Sequence, residues 1–430
     1  MQFTHSRTSL RIGLLSSRWA RLPHELPSLV LRVGDILPRR YRRWVLLHSD
    51  IYHKGTHILY RLDGIKEQLI PALLDAQARR KVDRLRLEFF ITHSTACMNW
   101  LISKAMDAWG INELEAVAKP THWHQTIHTF PSHGLCQDPR SSSPRSLKLG
   151  GCLLPLLHEY NALCMLVLHD IPELSGAAYK CIFTSCTRLL VLHLDSYSCT
   201  KDKVVVVDVP SSEIRELVVH ECKFLMCLRA LPKLDSLASI ETGVHFESTS
   251  FPCLRRWNLA CDIGVRLDGL RQYFVEHLEL DLFLECTPDI SDLIICFTGP
   301  DRWIEPSSSP SSLLLPNLRR LLVADVPSSW DVSWLKSWPH LLLEMAPSLE
   351  IFHIHIAPCM EELVKFVMGV CTALRHVAMF KSGHALDKGH WDWEMVTQQS
   401  TWAEEEKGSL LEQIMGGVSS STTPVQLNFG

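Results

Sequence analysis

The stretch that decides the fold is residues 189–199, LLVLHLDSYSC, in which Leu189, Leu192 and Leu194 are spaced as i, i+3 and i+5. Side chains alternate along a β-strand, so Leu192 and Leu194 are predicted to point to the same side of a short strand. Leu189 lies just before that strand and is predicted to fill the same core. The same apolar spacing recurs at Leu163/Leu166/Leu168, Ile214/Leu217/Val219, Leu254/Trp257/Leu259, Val275/Leu278/Leu280, Leu318/Leu321/Val323, Leu349/Phe352/Ile354 and Leu374/Val377/Met379.

The interval between these triplets identifies the kind of repeat. Leu163, Leu189 and Ile214 begin successive triplets that are 26 and 25 residues apart. Leucine-rich repeats have a period of roughly 20–29 residues around an L-x-x-L-x-L strand. One such unit cannot bury its apolar face alone, so the units stack. The sequence therefore predicts an α/β fold, an irregular leucine-rich-repeat solenoid with a parallel concave sheet.

Further elements are predicted on both sides of the clearest triplets. Alternating residues indicate a strand at 29–33, and Val82, Leu85 and Leu87 form the first recognisable repeat strand. The segment CMNWLISKAMDAWG is predicted to be a helix that ends at Gly110, and INELEAV the strand after it. Weaker signals include Leu234/Leu237, which lacks the last apolar position, a strand in VVVVDVP at 204–210, and a capping strand in PVQLNF.

Composition limits the class of protein. The 430 residues are 46% hydrophobic and 21% charged, which is ordinary for a globular chain. The formal net charge of −4 gives no basic excess for nucleic acid or an anionic membrane, and we expect neither as a partner. No apolar run reaches the roughly 18 residues of a membrane-spanning helix, and arginines interrupt the N-terminal apolar stretch where a secretory signal would be continuous. We expect a protein of the nucleus or cytoplasm.

The cysteines and histidines suggest packing and surface roles. The 15 cysteines have no regular spacing, and we interpret them, Cys181 and Cys186 included, as buried small apolar residues in a reducing compartment. Residues 119–146, rich in His, Pro and Ser, are predicted to form an exposed loop. Their cluster of potential ligands lacks standard zinc spacing, so metal binding is the less favoured alternative. The cluster comprises His122, His124, His128, His133 and Cys136.

No set of residues predicts catalysis. HEYNA at 158–162 lacks the second histidine of a zinc-protease helix, and the chain has no G-x-S-x-G, Walker or G-x-G-x-x-G motif. We therefore expect a protein that is not an enzyme and that has no cofactor and no metal ion.

Aromatic and basic groups outside the triplets are interpreted as structural. Trp330, Trp334 and Trp338 form a helical stripe that favours core packing, with an exposed anchor for a partner as the alternative. Trp391 and Trp393 have the alternating spacing of one strand face. A basic run, interpreted as a solvated face, comprises Arg39, Arg40, Arg42 and Arg43.

The N-terminus carries an amphipathic pattern of its own. Leu10, Leu14, Leu15 and Trp19 have helical spacing, and Pro23 ends the run. From the residues alone we predict a helix docked on the first repeat.

Several segments together resemble a known family. RTSLRIGLLSSRWARLP at 7–23 resembles the last helix of the F-box in plant F-box/leucine-rich-repeat proteins. WGINELEAVAKP, LKLGGCLLP, SSEIRELVVHEC, FPCLRRWNL, LRRLLVADVP, APSLEIFHIHI and the tail GHWDWEMVTQQ resemble the FBD-type branch of that family. The resemblance covers essentially the whole chain, and its N-terminal and C-terminal pieces are the more specific ones. The family's F-box opens with an L-P-x-x-[LI]-L-x-x-I helix pair, which this sequence lacks, so we expect an F-box truncated to its last helix.

The resemblance implies a domain order and a function. It implies a residual F-box helix at 1–22, N-terminal repeats at 23–118, a loop at 119–146, leucine-rich repeats at 147–370 and an FBD-like capping module at 371–430. It implies a non-catalytic subunit of an SCF-type ubiquitin ligase that binds a Skp-type adaptor and a cullin scaffold, and holds a target protein on the repeat surface. The residues that choose this partner would lie at variable strand positions, such as those between Leu192 and Leu194 and between Leu217 and Val219. The adaptor-binding residues would be Leu10, Leu14, Leu15 and Trp19. The alternative is a repeat-only interaction module that no longer binds the adaptor.

Overall fold

The computed structural model divides the chain into two compact units, Met1–Cys199 and Thr200–Gly430, each of which contains a run of parallel strands. The residues that the structure describes are 28–32, 82–90, 96–119, 127–130, 144–155, 157, 160–171, 176–195, 204–222, 224–247, 251–261, 278–279, 284, 286–287, 289–297, 304–305, 315–324, 342–355, 368–371, 373–380, 384–387, 391, 393–396, 403–415 and 425–429.

The first unit is organised around six parallel strands paired in chain order. Short strands β4 (His128–Thr129) and β6 (Cys152–Leu153) pair with each other beside this sheet. The six strands are β1 (Ser28–Arg32), β2 (Arg84–Phe90), β3 (Glu113–Lys119), β5 (Ser146–Gly150), β7 (Met165–His169) and β8 (Val191–Asp195). The predicted α/β class with a parallel sheet is therefore confirmed in this unit.

Two helices of the first unit connect successive strands. Helix α1 (Ala96–Lys104) lies between β2 and β3 and continues as a π-helical turn, Ala105–Trp109. Gly110 then adopts a left-handed φ of 61°, a conformation that glycine reaches without strain. The predicted helix and its end at Gly110 are confirmed. Helix α2 (Gly176–Ser185) connects β7 and β8.

The second unit contains a longer run of parallel strands, which we call its large sheet. Beside it lie the parallel strands β9 (Val204–Asp208), β11 (Leu225–Ala230) and β13 (Gly243–Phe246). The large sheet contains β10 (Glu216–His220), β12 (Ser236–Ile240), β14 (Arg256–Cys261), β16 (Asp292–Phe297), β18 (Arg320–Ala324), β19 (Ile351–His355), β20 (His376–Phe380) and β23 (Gln426–Phe429).

Smaller elements accompany the large sheet of the second unit. Strands β15 (Leu278–Glu279) and β17 (Ile304–Glu305) pair in parallel. Strands β21 (His384–Asp387) and β22 (Trp393–Val396) pair antiparallel, and helix α3 (Glu404–Met415) follows them. The predicted strand in VVVVDVP is β9, and the predicted C-terminal strand is β23, which pairs with β20.

The apolar triplets form continuous buried rows because neighbouring strands are in register. In the first unit the second triplet residues align as Leu85, Leu114, Leu147, Leu166 and Leu192, all at most 1% exposed. In the second unit the equivalent row is Leu217, Leu237, Trp257, Leu293, Leu321, Phe352 and Val377, all at most 2% exposed. Each buried side chain of this size stabilises the fold by about 1.5–3 kcal/mol, so the rows are the main source of cohesion.

A hydrogen-bonded turn precedes many of the strands and fixes where each triplet begins. The N–H of the first triplet residue donates to the carbonyl three residues earlier, from Leu254 to Phe251 and from Leu318 to Leu315. Proline follows that carbonyl residue in both cases and sets the φ angle that the turn requires. The carbonyl just before one strand also accepts two N–H groups of the next repeat, so that Asp235 accepts from both Arg255 and Arg256.

One predicted repeat is misplaced. The prediction that Val275/Leu278/Leu280 supplies a strand of the main sheet is wrong, because Leu278 lies in β15, which pairs with β17. The strand that pairs with both β14 and β18 is β16, preceded by Ile290. Ile290, Leu293 and Ile295 have the i, i+3, i+5 spacing and are buried. Ile290 also closes the turn by donating to the carbonyl of Thr287, at 3.3 Å.

The weak repeat at Leu234/Leu237 is a full member of the sheet. Ser239 occupies its third apolar position and is completely buried. Its hydroxyl donates to the carbonyl of Thr242 at 2.5 Å, and the Thr242 hydroxyl accepts the N–H of Cys222 at 2.9 Å. A serine whose hydroxyl is hydrogen-bonded inside the core therefore takes the place of the third apolar residue. For this reason the apolar triplet is incomplete in the sequence of this repeat.

The described cysteines only partly follow the prediction of buried thiols. Buried free thiols, as predicted, include those of Cys152, Cys186, Cys227 and Cys371. Burial raises the pKa of Cys152 to about 12 and that of Cys371 to about 11, so both stay protonated. The prediction is wrong for Cys181, which is exposed on helix α2.

Candidate recognition surfaces

The strands of the first unit have one side that the described residues cover only partly. Along β3, β7 and β8 buried and half-buried residues alternate strictly, as expected for a sheet with one packed face. The open face of the first unit, as we call it, consists of the half-buried and exposed residues of β2, β3, β5, β7 and β8. Its middle row is Arg86, Glu115, Lys148, Val167 and His193.

One half of the open face is a network of opposite charges. Arg86 pairs with Glu115 at 3.0 Å, and Lys119 pairs with Glu88 at 2.8 Å. Lys148 approaches Glu115 at 3.9 Å. Partly exposed pairs of this kind contribute only about 0–1 kcal/mol each to stability. Their main physical effect is therefore to present both signs of charge to a partner along one rigid sheet.

The other half of the open face has fewer charges and ends in a histidine that lies between two aspartates. Met165 and Val191 face each other across β7 and β8. At the end of these strands His169 Nδ1 lies 2.7 Å from Asp195, and His169 Nε2 lies 3.0 Å from Asp170. The hydrogen bond with Asp195 is the main cause that raises the pKa of His169. The cluster thus holds a histidine that is more readily charged than usual.

The large sheet of the second unit is buried on both faces over much of its length. The residues between the second and third triplet positions are Val218, Ala238 and Asn258 in successive strands, and each is at most 2% exposed. The hypothesis that the position between Leu217 and Val219 contacts a partner is therefore wrong, because Val218 is inaccessible. The equivalent hypothesis for His193, between Leu192 and Leu194, agrees with its half-buried position.

Further along the same sheet lies a pocket of about 300 Å³, which we call the β16–β20 pocket. Its polar lining includes Arg320, whose Nε lies 2.9 Å from the Asp292 carboxylate on the neighbouring strand. The other side chains of interest in its lining are Ile294, Leu322, Ile351, His353, His376 and Trp391.

Trp391 makes a cation–π contact with Arg256. The Arg256 guanidinium carbon lies 5.1 Å from the ring centroid, within the range of a cation–π contact. Arg256 Nε in turn donates to Ser236 Oγ at 2.8 Å, and its Nη2 lies 3.4 Å from Asp235. The Trp391 indole N–H is buried and lacks a hydrogen-bond partner in the part of the chain that the structure describes.

Two histidines also line the same pocket. The rings of His353 and His376 are 5.2 Å apart and nearly edge to face. Burial, with smaller contributions from His376 and Arg320, lowers the pKa of His353 to about 4, so its imidazole is neutral at pH 7. His353 Nε2 is buried and, among the described residues, has no hydrogen-bond partner.

The lining of the pocket mixes apolar and polar groups. It combines apolar side chains with the paired Asp292 and Arg320, two imidazoles and an indole ring. The described lining contains no serine, threonine, cysteine or lysine that could act as a nucleophile. Asp292 and Arg320 engage each other, and the Trp391 indole N–H and His353 Nε2 are covered by protein atoms.

Several predicted residues lie outside the described residues. These are the adaptor-binding set Leu10, Leu14, Leu15 and Trp19, the basic run Arg39, Arg40, Arg42 and Arg43, and the stripe Trp330, Trp334 and Trp338. Of the histidine-rich cluster, only His128 is described. The exposed-loop prediction is wrong at His128, which lies in β4, is 1% exposed and packs edge-on against Phe89 at 4.9 Å. Trp391 precedes β22 rather than sharing a strand with Trp393.

Neither a metal centre nor a membrane-spanning helix is found in the described parts of the chain. No three side chains of His, Cys, Asp or Glu converge there in a way that could hold a metal ion. None of the helices within the described ranges is long and apolar enough to cross a bilayer. No protein-family model matches the chain, and a search of curated proteins gives no significant match.

Sequence reasoning missed the β16–β20 pocket for an identifiable reason. Its residues come from the first and middle positions of consecutive strands, so they converge only when the strands are paired correctly. Placing the repeat at Val275 instead of Ile290 removes Asp292 from the sheet, although Asp292 and Arg320 are register partners. The turn signal before Ile290, Thr287 followed by proline, could have identified the correct strand.

Proposed function

We propose that the chain is a non-catalytic protein-recognition subunit, the substrate adaptor of an SCF-type ubiquitin ligase in the nucleus or cytoplasm. Its strands would belong to an irregular leucine-rich-repeat solenoid, and its N-terminal segment would bind a Skp-type adaptor attached to a cullin. Transfer of ubiquitin would take place on other subunits, so the chain itself would need neither cofactor nor metal.

The observation that supports this proposal best is the open face of the first unit. A parallel sheet of repeated strands, with its triplet leucines buried, exposes a charged half and an apolar half on a rigid support. Rigid surfaces lose little entropy on binding and therefore suit protein recognition. Fold alone does not establish function, so the adaptor role depends on the family resemblance of the N-terminal and C-terminal segments.

Binding to a purified Skp-type adaptor tests the ligase role. We expect the full chain to capture the adaptor in a pull-down, and Trp19→Ala to weaken the capture by at least tenfold. The matched control is Trp100→Ala, since Trp100 is an exposed tryptophan on helix α1 and is not in the predicted adaptor-binding set. Failure of the folded chain to capture the adaptor would favour the second candidate function.

The second candidate function is a repeat-only interaction module. The ion pairs and the strand pairing that build the open face all lie within the first unit. The open face therefore needs no adaptor to keep its structure, which favours this second candidate. The two candidates differ in one measurement, the presence or absence of a complex between the full chain and a Skp-type adaptor.

A further inference from the structure

A continuous series of backbone hydrogen bonds crosses the large sheet of the second unit at the end where its strands begin. From β12 to β20, the residue just before each strand donates its N–H to the carbonyl of the equivalent residue one repeat earlier, at 2.7–2.9 Å. The residues joined in this way are, in order, Arg215, Asp235, Arg255, Ser291, Arg319, Glu350 and Arg375. Because paired strands lie about 4.8 Å apart, successive residues of the series are separated by about that distance.

Arginine occupies every second position of this series. Each of the arginines is exposed, whereas Asp235, Ser291 and Glu350, which separate them, are half-buried. The Cα atoms of consecutive arginines are therefore about 10 Å apart, two strand spacings along the sheet. We call these four residues the arginine row, which consists of Arg215, Arg255, Arg319 and Arg375.

The backbone hydrogen bonds do not require arginine at these positions. The equivalent hydrogen-bonded series of the first unit consists of Asp83, Asn112, Arg145, Cys164 and Leu190. Its side chains carry one negative and one positive charge and show no alternation. The same backbone contacts thus accept side chains of several types. The recurrence of arginine in the second unit is therefore a property of its surface and is not imposed by the fold.

Most of the positive charge of the arginine row is available to a partner. Of the four arginines, only Arg319 has an ion-pair partner among the described residues, the carboxylate of Glu350. The other acid of the series, Asp235, instead pairs with Arg256 at 3.4 Å. The series as a whole carries four positive and two negative charges, although the formal net charge of the whole chain is −4.

The spacing of these charges matches an extended acidic polypeptide. A polyproline II segment has three residues per turn and rises about 3.1 Å per residue, so every third side chain lies on one face, about 9 Å apart. A nucleic acid carries a phosphate on every nucleotide and would bring negative charge beside Asp235 and Glu350 as well as beside the arginines. The net negative charge of the chain also disfavours a continuous polyanion.

We propose that the arginine row is a docking surface for an acidic segment of a partner protein, bound in an extended polyproline II conformation with a carboxylate at every third residue. Guanidinium groups bind carboxylates through two parallel N–H donors, which gives each contact a defined direction. This inference goes beyond the proposed function, because an acidic segment can bind here whether or not the chain binds a Skp-type adaptor.

NMR spectra of the full chain, labelled with ¹⁵N at arginine, provide a direct test. Exposed ion pairs are weak, so four of them give a dissociation constant of roughly millimolar size, which NMR titration at low salt measures well. The probe, which we call the spaced peptide, has glutamate at every third position and alanine, serine or proline between. We expect it to shift the Nε–H signals of the arginine row saturably.

Two control ligands test the spacing and the class of partner. The blocked peptide contains the same residues with its glutamates consecutive, and an oligothymidylate carries the same number of negative charges. A block of four glutamates reaches only about two arginines of the row, so the spaced peptide should bind about tenfold more tightly than the blocked peptide. It should also bind more tightly than the oligothymidylate.

Substitutions inside and outside the arginine row separate this surface from general charge effects. Arg255→Gln should weaken binding of the spaced peptide about two- to fivefold, and the double variant Arg215→Gln/Arg255→Gln about tenfold. The matched control is Arg188→Gln, because Arg188 is an exposed arginine of the first unit, and it should leave binding unchanged. All of these side chains are exposed, so the variants should fold normally, and their amide spectra check this.

The proposal is wrong if the spaced peptide gives no saturable shift, if the blocked peptide binds equally well, or if the double variant keeps its full affinity. Tighter binding of the oligothymidylate would also overturn it and would identify a nucleic-acid surface instead. Capture of a Skp-type adaptor is a separate measurement that tests the ligase role alone, so failure of either proposal leaves the other intact.

Discussion

Two glycines of the first unit offer a matched test of how closely its strands are packed. Gly110 and Gly151 both have a φ of 61°, so both lie in the left-handed region. A Cβ atom at Gly151 would lie 2.0 Å from the carbonyl oxygen of Ala118 and 3.1 Å from its carbon. A Cβ atom at Gly110 would meet nothing within 4 Å.

The two glycines share a backbone conformation but differ in their neighbouring atoms, and these two facts determine how much stability each alanine substitution should cost. An alanine in the left-handed region costs about 1–2 kcal/mol, and this cost is shared by both variants. A carbon–oxygen contact normally needs about 3.3 Å or more, so Gly151→Ala must also move β3 and β5 apart by more than 1 Å. Such a movement disturbs the hydrogen bond from Gly151 N–H to the His169 carbonyl, now 3.1 Å, and the neighbouring strand pairing. Losing one or two such bonds adds about 2–4 kcal/mol.

Hydrogen exchange within the full chain measures these costs unit by unit. Mass spectrometry of peptides covering 113–119 and 146–153 reports the first unit without assuming that the whole chain unfolds in one step. We expect Gly110→Ala to reduce the opening free energy by about 1–2 kcal/mol and Gly151→Ala by about 3–5 kcal/mol. Equal effects of the two substitutions, within about 0.5 kcal/mol, would show that the close approach of Gly151 to Ala118 is not a real constraint.

Three further predictions concern the second unit. Leu293→Ala should destabilise it by about 2–5 kcal/mol in urea unfolding, because Leu293 is 1% exposed in the middle of a buried row, whereas the exposed control Glu405→Ala should change little. Thr242→Val should cost about 1–3 kcal/mol in the same assay, since the buried Cys222 N–H loses its acceptor. The free energy of unfolding should decrease as the pH falls from about 6.5 towards 4. The reason is that the imidazole of His353 gains its proton near pH 6.5 in the unfolded chain but only at about pH 4 in the folded one. Comparison with His353→Phe, whose stability should depend less steeply on pH in that range, isolates this contribution.

The triplet spacing predicts most of the parallel sheet because it reports burial directly. Leu166, Leu192 and Leu217 occupy the interior positions that the spacing assigns to them. The spacing fails at Leu278 because the same pattern arises by chance in apolar stretches. The turn before Ile290 marks the start of β16, the strand that pairs with both β14 and β18.

The candidate sites could be predicted less well than the fold. The open face follows from alternation, but whether the second face of a sheet is covered depends on packing that periodicity does not report, as the burial of Val218 shows. The pocket needs Trp391, which lies far in sequence from Asp292 and approaches it only through the arrangement of the folded unit. The adaptor-binding role of Leu10, Leu14, Leu15 and Trp19 stays a prediction.

The paired N–H contacts to a single carbonyl before each strand have a consequence for how such a chain can vary. Arg255 follows Asp235, whose carbonyl accepts its N–H, by 20 residues, whereas Ser291 follows Arg255, whose carbonyl accepts its N–H, by 36, yet both junctions use the same pair of backbone hydrogen bonds. Connecting segments can therefore lengthen or shorten without shifting the rows of the sheet. Insertion of a label or an affinity tag into such a connection should leave the neighbouring pockets and faces unaltered, which makes these segments natural sites for engineering.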